Sequence, residues 1–366
     1  MTLITVAKEC PVFDSFRVRQ IAGMFDVPLE DRSRVEFSAE VPSLKEAWTI
    51  GAIVGPSGSG KTSLARQAYG PHVYEPRTWP RERAVIDGFG ERSTKDITAL
   101  LTSVGFSSPP AWVKPYQALS NGEQFRCDLA RALLTAQGDD SLVVFDEFTS
   151  VVDRTVAQVG SAAVARAIRT GRFARRFVAV TCHYDVLPWL EPDWVLDLAS
   201  GKLAWGRLRR PPLLLEVVQC PQAWWRRFAR HHYLSGELSR AATCYAALHH
   251  GEPVAFCATC GMFGQPGRKR VTRIVVLPDY QGLGIGMRLV EHVCDYERTR
   301  QFRCNITASH PAVIAHCKRS SRWRAVNVKR ATGRSRQTSR GLEVKTSTGR
   351  SVVSFEYIGE IQNRAA

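Results

Sequence analysis

Short apolar runs closed by glycine, proline or acidic residues alternate along this chain with stretches whose apolar positions recur at helical spacing. TIGAIV (49–54) is the first such run; it ends in a glycine-rich turn and passes into SLARQAY, a helix. SLVVFDEFTS (141–150) is a second apolar strand, closed by two acids, and VAVTCHYD (178–185) a third. WVLDLASGKLAWG (194–206) has the form of a closing hairpin, and AVID (84–87) is strand-like. GRLRRPPLLLE then interrupts the pattern, because arginines followed by Pro-Pro stop regular structure. Beyond it GEPVAFCATCGMF, VTRIVVLPD (271–279) and FRCNITAS predict strands, while GMRLVEHVCDYE and PAVIAHCKR predict helices. SVVSFEYIG (351–359) reads as a last strand. The pattern and its interruption predict two domains, 1–208 and 223–366, with 209–222 holding a linker and the first strand of the second.

A length of 366 residues suits two domains with separate cores. No uncharged apolar run reaches the roughly 18 residues of a membrane-spanning helix, and MTLITVAKECPVFD lacks the form of a signal peptide. Ten cysteines are scattered through both halves, as suits reduced thiols, so a cytoplasmic protein without membrane partners is expected. Cys257 and Cys260 have metal or redox spacing, but on a strand residues three apart point to opposite faces, which favours plain thiols.

Gly55-Pro-Ser57-Gly58-Ser-Gly60-Lys61-Thr62-Ser63 fits the phosphate-loop pattern between a strand and a helix. Its glycines let successive N–H groups and the helix N-terminus face phosphates, Lys61 would reach the β/γ-phosphates, and the Thr62 hydroxyl would bind Mg²⁺. Asp146 ends an apolar strand and suits Mg²⁺; Glu147 beside it suits orienting and deprotonating water. The set predicts an ATP site.

Leu119-Ser120-Asn121-Gly122-Glu123-Gln124 followed by FRCDLARALL resembles the signature motif of ABC-type ATPases. Residues 146–153, DEFTSVVD, resemble that family's Walker B and D-loop stretch, with Phe148 where the family has proline. His183 falls where the family's switch histidine meets the γ-phosphate. The resemblance covers about residues 1–208. It implies an ATP-dependent homodimer in which Ser120 and Gly122 act on the partner's nucleotide. No glutamine stands clearly at the Q-loop; Asp87, ending AVID, is the candidate for that place. The helical arm between Lys61 and Ser120 is shorter than in transporter ATPases, which implies a soluble member.

The second half carries a different glycine turn. Gly282-Leu-Gly284-Ile-Gly286 fails the G-x-G-x-x-G dinucleotide pattern but fits Q-x-x-G-x-G with Gln281, Gly284 and Gly286. This resembles motif A of the GNAT acyltransferases and covers about residues 213–366. The resemblance implies an α+β fold in which backbone N–H groups of this turn hold the diphosphate of acetyl-CoA or another acyl-CoA. It also implies that amides around Val275, Val276 and Leu277 polarise the thioester carbonyl. The tyrosine acid that the family places on the helix after the fifth strand is missing from PAVIAHCKRSSRW; Ser309, His310, His316 and Cys317 are the substitutes at hand. His231, His232 and Tyr233 fall where the family builds its acceptor pocket.

Lys and Arg number 50 against 34 acids, a net charge of +16. A basic loop at about 318–350 holds much of the excess, with Trp323 in it, and RRFAR adjoins Trp224 and Trp225. Cations with aromatics suit phosphate contacts and base stacking, so DNA or RNA is an expected partner. The expected fold is thus an α/β P-loop ABC-type ATPase domain followed by an α+β GNAT acyltransferase domain. The expected function is ATP-coupled N-acylation of a nucleic-acid base. Alternatives are a protein or small-amine acetyltransferase regulated by the ATPase, and an ABC ATPase with a non-catalytic CoA-sensing module.

Overall fold

The structure, a computed structural model, describes residues 1–360 apart from 12, 28–31, 77, 136–140, 171–175, 209, 233–237 and 330–350. In chain order the elements begin β1 (Thr2–Pro11), α1 (Phe16–Phe25), β2 (Arg32–Val41), β3 (Ile50–Val54) and α2 (Lys61–Tyr69). Helices α3 (Thr94–Ser103), α4 (Pro109–Trp112) and α5 (Asn121–Thr135) precede β4 (Leu142–Phe145), α6 (Arg154–Arg169), β5 (Arg176–Thr181) and α7 (Leu187–Leu190). Strands β6 (Trp194–Asp197), β7 (Lys202–Trp205) and β8 (Glu216–Cys220) are followed by α8 (Trp225–Phe228), β9 (Thr243–His249), β10 (Glu252–Met262) and β11 (Gln265–Val276). Last come α9 (Ile285–Thr299), β12 (Arg303–Ala308), α10 (Pro311–Arg319), β13 (Trp323–Lys329) and β14 (Val352–Tyr357). No helix of the described residues is long and apolar enough to cross a membrane.

The described chain divides into two compact units. One comprises Met1–Pro76, Ala132–Ser150 and Ile168–Arg209. Its five-stranded sheet has the order β4-β5-β3-β6-β7, parallel except for the β6–β7 hairpin. Strand β3 lies between β5 and β6, and every residue of it is buried. A parallel strand covered on both faces needs such an unbroken apolar run, which is why TIGAIV does not alternate. Leu64 and Ala65 of α2 pack on Ile53, Val144 and Val180 to make the core.

The other unit comprises Arg77–Arg131, Val151–Ala167 and Arg210–Ala366. Its seven-stranded sheet runs β13-β14-β12-β11-β10-β9-β8. All neighbours are antiparallel except β11 and β12, which pair in parallel over Arg268–Val271 and Arg303–Ile306 alone. Beyond Val271 strand β11 stays bonded to β10 up to Val276 but leaves β12, so the sheet opens there. Helix α9 covers one face with Ile285, Leu289, Val290 and Val293, against Val271, Ile306 and Phe355. Trp225 and Phe228 cover the other, against Phe256 and Val275.

Two expectations are corrected here. The AVID stretch is not a strand: Val85–Phe89 is a 3₁₀ turn that buries Val85 and Phe89, a spacing of four that fits an alternating and a helical period alike. The basic stretch is not a loop from 318 onward: α10 runs to Arg319, Trp323–Lys329 is a strand paired with β14, and residues 330–350 lie outside the described residues. Trp323 is 6% exposed, its indole N–H donates to Glu291 Oε1 at 2.9 Å, and its ring meets Tyr357 at 5.0 Å. A ring held this way belongs to the core and does not stack on a base.

Candidate nucleotide and acyl-CoA sites

In the first unit the phosphate loop joins the buried β3 to α2. Gly58 and Gly60 have φ of +80° and +88°, the left-handed region that glycine enters without strain. Gly60 is the N-cap of α2 and supplies no side chain to the first-turn N–H groups, so these remain free to meet an anion. Lys61 Nζ donates to the carbonyls of Gly55 at 3.0 Å and Pro56 at 2.7 Å, which folds its ammonium over the loop. Ser57 is exposed, while Thr62 and Ser63 are half-buried in the first turn of α2.

At the end of β4, Asp146 is half-buried and its Oδ1 accepts the Glu147 N–H at 2.9 Å. Glu147 and Thr149 have φ of +51° and +68°, unusual for residues with a Cβ and most of all for a β-branched one. Phe148 between them holds the turn: it is fully buried, its N–H donates to Val180 O at 2.9 Å, and its ring packs edge-on against Phe145 and Phe177. Strain of this kind persists where surrounding contacts over-determine the backbone. Glu147 is exposed and accepts from Ser150 Oγ at 2.6 Å. His183 Nδ1 lies 3.4 Å from Thr149 Oγ1, and the His183 backbone N–H donates to Thr181 Oγ1, so histidine and acidic turn share one local frame.

The remaining positions lie in the second unit. Ser120 and Glu123 form a reciprocal N-terminal capping box on α5: Ser120 N–H donates to Glu123 Oε2 at 3.0 Å and Glu123 N–H to Ser120 Oγ at 3.4 Å. Gly122 sits against Val156, whose Cγ1 would lie 3.1 Å from an added Cβ.

The second glycine turn follows β11. Leu277 N–H donates to Val254 O at 2.9 Å, so that amide is spent within the sheet. Because N–H directions alternate along a strand, Val275 faces β10 as well and Val276 faces the opened side. Gln281 is buried; its carboxamide accepts Ser107 N–H at 2.7 Å and donates to Val276 O at 2.9 Å. Gly282 (φ +96°) is wedged: a Cβ there would stand 2.9 Å from both Ala163 Cβ and Gly105 Cα. Gly284 (φ +78°) is the exposed N-cap of α9, with no capping side chain. Gly286 lets α9 approach β11, with Val276 Cγ2 at 3.1 Å from its Cβ position.

The substitutes for an acid on α10 are largely engaged. His310 caps α10: Nδ1 accepts Ala312 N–H at 3.2 Å, so the proton sits on Nε2 and is donated to Ser107 O at 3.3 Å. Burial holds its pKa below the ordinary value. His316 Nε2 lies 2.7 Å from Glu291 Oε1, and burial pushes the Cys317 thiol up to about 12. Ser309 follows directly on the last residue of β12. His231 accepts from Arg230 Nε at 3.0 Å, and His232 packs edge-on against Trp225. Tyr233 lies outside the described residues.

Sequence reading missed Ser107, Ala163 and Arg166, which meet the Gln281–Gly284 turn from more than a hundred residues away. It also missed Arg126, fully buried on α5, with Asp279, Glu123 and Asp153 as the carboxylates acting on it. No local pattern marks any of these four.

Residues 210–317 match the model of the Acetyltransferase (GNAT) family. The zinc import ATP-binding protein ZnuC of Pseudomonas aeruginosa is 33% identical over 30% of this chain and 46% of its own length. The chain thus spans about half the length of the curated relatives it matches. Among solved structures, the dimeric post-hydrolysis state of the ATP-binding cassette MJ0796, bound to ADP and Pi, is 14% identical over 47% of this chain and 89% of its own, at a TM-score of 0.36. The ribosomal-protein-S18-alanine N-acetyltransferase of Escherichia coli is 15% identical over 42% of this chain and 99% of its own, at 0.31. Residues 210–317 therefore carry a GNAT-family domain, and the region before them bears the motif set and the sequence likeness of an ABC-type ATPase.

Proposed function

We propose that this protein couples ABC-type ATP hydrolysis to transfer of an acyl group from acyl-CoA onto an amine, with a nucleic acid as the favoured acceptor. The observation that carries the transferase part is the sheet opening beyond Val271, next to a side-chain-free helix N-terminus at Gly284. Such an opening admits the pantetheine arm between two strands, and the exposed glycine turn admits a diphosphate. In the transfer the amine nitrogen attacks the thioester carbonyl, the C–N bond forms, the C–S bond breaks, and CoA leaves as its thiol with one proton. Of Val275, Val276 and Leu277, only the Val276 N–H points into the opening to meet the developing oxyanion. Ser309, which directly follows β12, the strand that parts from β11, is the member of the acid set we favour as proton donor.

For ATP, the Gly55–Thr62 loop and Lys61 bind the phosphates, and Glu147 orients the attacking water. The donors fit a hard cation: the Thr62 hydroxyl and the Asp146 carboxylate are both oxygen ligands, and Mg²⁺ held by them would neutralise phosphate charge. A homodimer through the ATPase parts would bring Ser120 and Gly122 of each chain to the other's nucleotide. The +16 net charge supports the polyanionic acceptor, although burial of Trp323 removes one expected stacking group.

The test is ATP hydrolysis by purified protein with and without DNA or RNA, a Glu147→Gln control, and labelled acetyl-CoA in the same reactions. Stimulation by one polyanion, lost in Glu147→Gln, with label appearing on that polyanion, is the expected result. Hydrolysis indifferent to both, with label on protein or small amines, would reject the nucleic-acid acceptor.

A further inference from the structure

The glycine turn of the transferase segment has two sides with different neighbours in the same compact unit. On one side Gly282 is pressed against Gly105 and Ala163, and Gln281 is tied to the Ser107 backbone, so the turn is pinned. On the other, Gly284 is exposed, and among the described residues the group within 4 Å of its Cβ position is Nη1 of Arg166, at 3.5 Å. That guanidinium also lies 3.4 Å from Gly282 O. Arg166 belongs to α6, the helix that follows the D-loop, one turn beyond Ala163.

Arg166 is surrounded by charge of its own sign. Partial burial of the guanidinium, and after it the charges of Arg319, Arg210 and Arg288, make its cationic form harder to hold. Among the described residues no carboxylate pairs with it. The Arg166 guanidinium beside a bare helix N-terminus, under the repulsion of other arginines, leaves positive charge uncompensated, an arrangement that becomes favourable once a multiply charged anion binds there. The acyltransferase reading of this turn names such an anion: the diphosphate of a CoA thioester.

We propose that Arg166, from the ATPase part of the sequence, completes the acyl-CoA site by binding the diphosphate that the Gly282–Gly286 turn cradles. This rests on the acyltransferase reading above and adds to it that the site is composite, so the transferase segment alone lacks a ligand for its own cofactor. The second consequence is mechanical. One helix of 16 residues, about 24 Å long, starts at the D-loop acid Asp153, whose Oδ1 accepts Val156 N–H at 3.0 Å, and carries Arg166 near its other end.

Titration calorimetry on the full chain tests this with two probes, CoA and dephospho-CoA, which share the diphosphate and differ in the 3′-phosphate. Arg166→Ala should weaken both by a similar factor, roughly 10- to 100-fold, the range of a charge-assisted bond. Arg166→Lys, which keeps the charge but not the fork, should fall between wild type and Arg166→Ala and guards against a fold defect. Equal binding by wild type and Arg166→Ala would overturn the assignment; so would a loss confined to CoA, which would place the residue on the 3′-phosphate. Failure of the wild type to bind either probe would instead sink the acyltransferase reading itself, a result distinguishable from both.

Discussion

Replacing Gly282 with alanine separates the pinned side of the turn from its open side. The new Cβ would stand 2.9 Å from Gly105 Cα and 2.9 Å from Ala163 Cβ, both on backbone that cannot swing aside. A left-handed backbone costs a residue with a Cβ about 1–2 kcal/mol, and overpacking adds about 1–3 kcal/mol. The sum, about 2–5 kcal/mol, is a large part of a typical folding free energy of about 5–15 kcal/mol. For a unit of this size it should lower Tm by about 4–20 °C, since each kcal/mol shifts Tm by about 2–4 °C. Gly284→Ala is the matched control: its φ is also positive, but among the described residues only a flexible guanidinium approaches its Cβ, so it carries the backbone cost alone, about 1–2 kcal/mol. Scanning calorimetry reads the difference, and CoA titration should show Gly284→Ala weakened because its methyl enters the cradle. A Gly282→Ala protein as stable as Gly284→Ala would refute the claim that the turn is pinned by the Gly105 and Ala163 contacts.

Three further outcomes are expected. Lys269 Nζ donates to the fully buried Glu297 at 2.6 Å, with Tyr245 and Thr259 hydroxyls on the same oxygen, so Lys269→Met should cost about 3–5 kcal/mol in urea unfolding; adding Glu297→Gln should recover part of that, and strict additivity would contradict the coupling. Burial lowers the pKa of His231, His249 and His310, so each folded imidazole resists protonation; stability is full above the unfolded value of about 6.5 and is lost as pH falls below it. His310→Asn should flatten the Tm decline between neutral and mildly acidic pH, and an unchanged slope would assign it elsewhere. Phe148→Ala should cost about 3–5 kcal/mol and lower ATP hydrolysis more than Phe148→Leu does, because the buried ring anchors the positive-φ turn that carries Glu147; equal hydrolysis by both variants would show that the ring does not place the acid.

What the sequence determined by itself is local. The phosphate loop, the acidic strand end, the β6–β7 hairpin and the glycine turn before α9 are each specified within about a dozen residues. There, glycine tolerance of positive φ and the apolar period decide the backbone, so Gly58, Gly60 and Gly284 were legible as conformational positions. AVID misled because four residues cannot separate an alternating period from a helical one. Trp323 misled because its basic neighbours say nothing about Glu291 and Tyr357, which meet its indole from α9 and β14. Only the tertiary structure decided that Ser107 meets Gln281 across 174 positions and Arg166 meets Gly282 across 116. Such contacts arise from the packing of whole elements, in which any exposed arginine on α6 looks alike until the fold sets one of them beside a bare helix end.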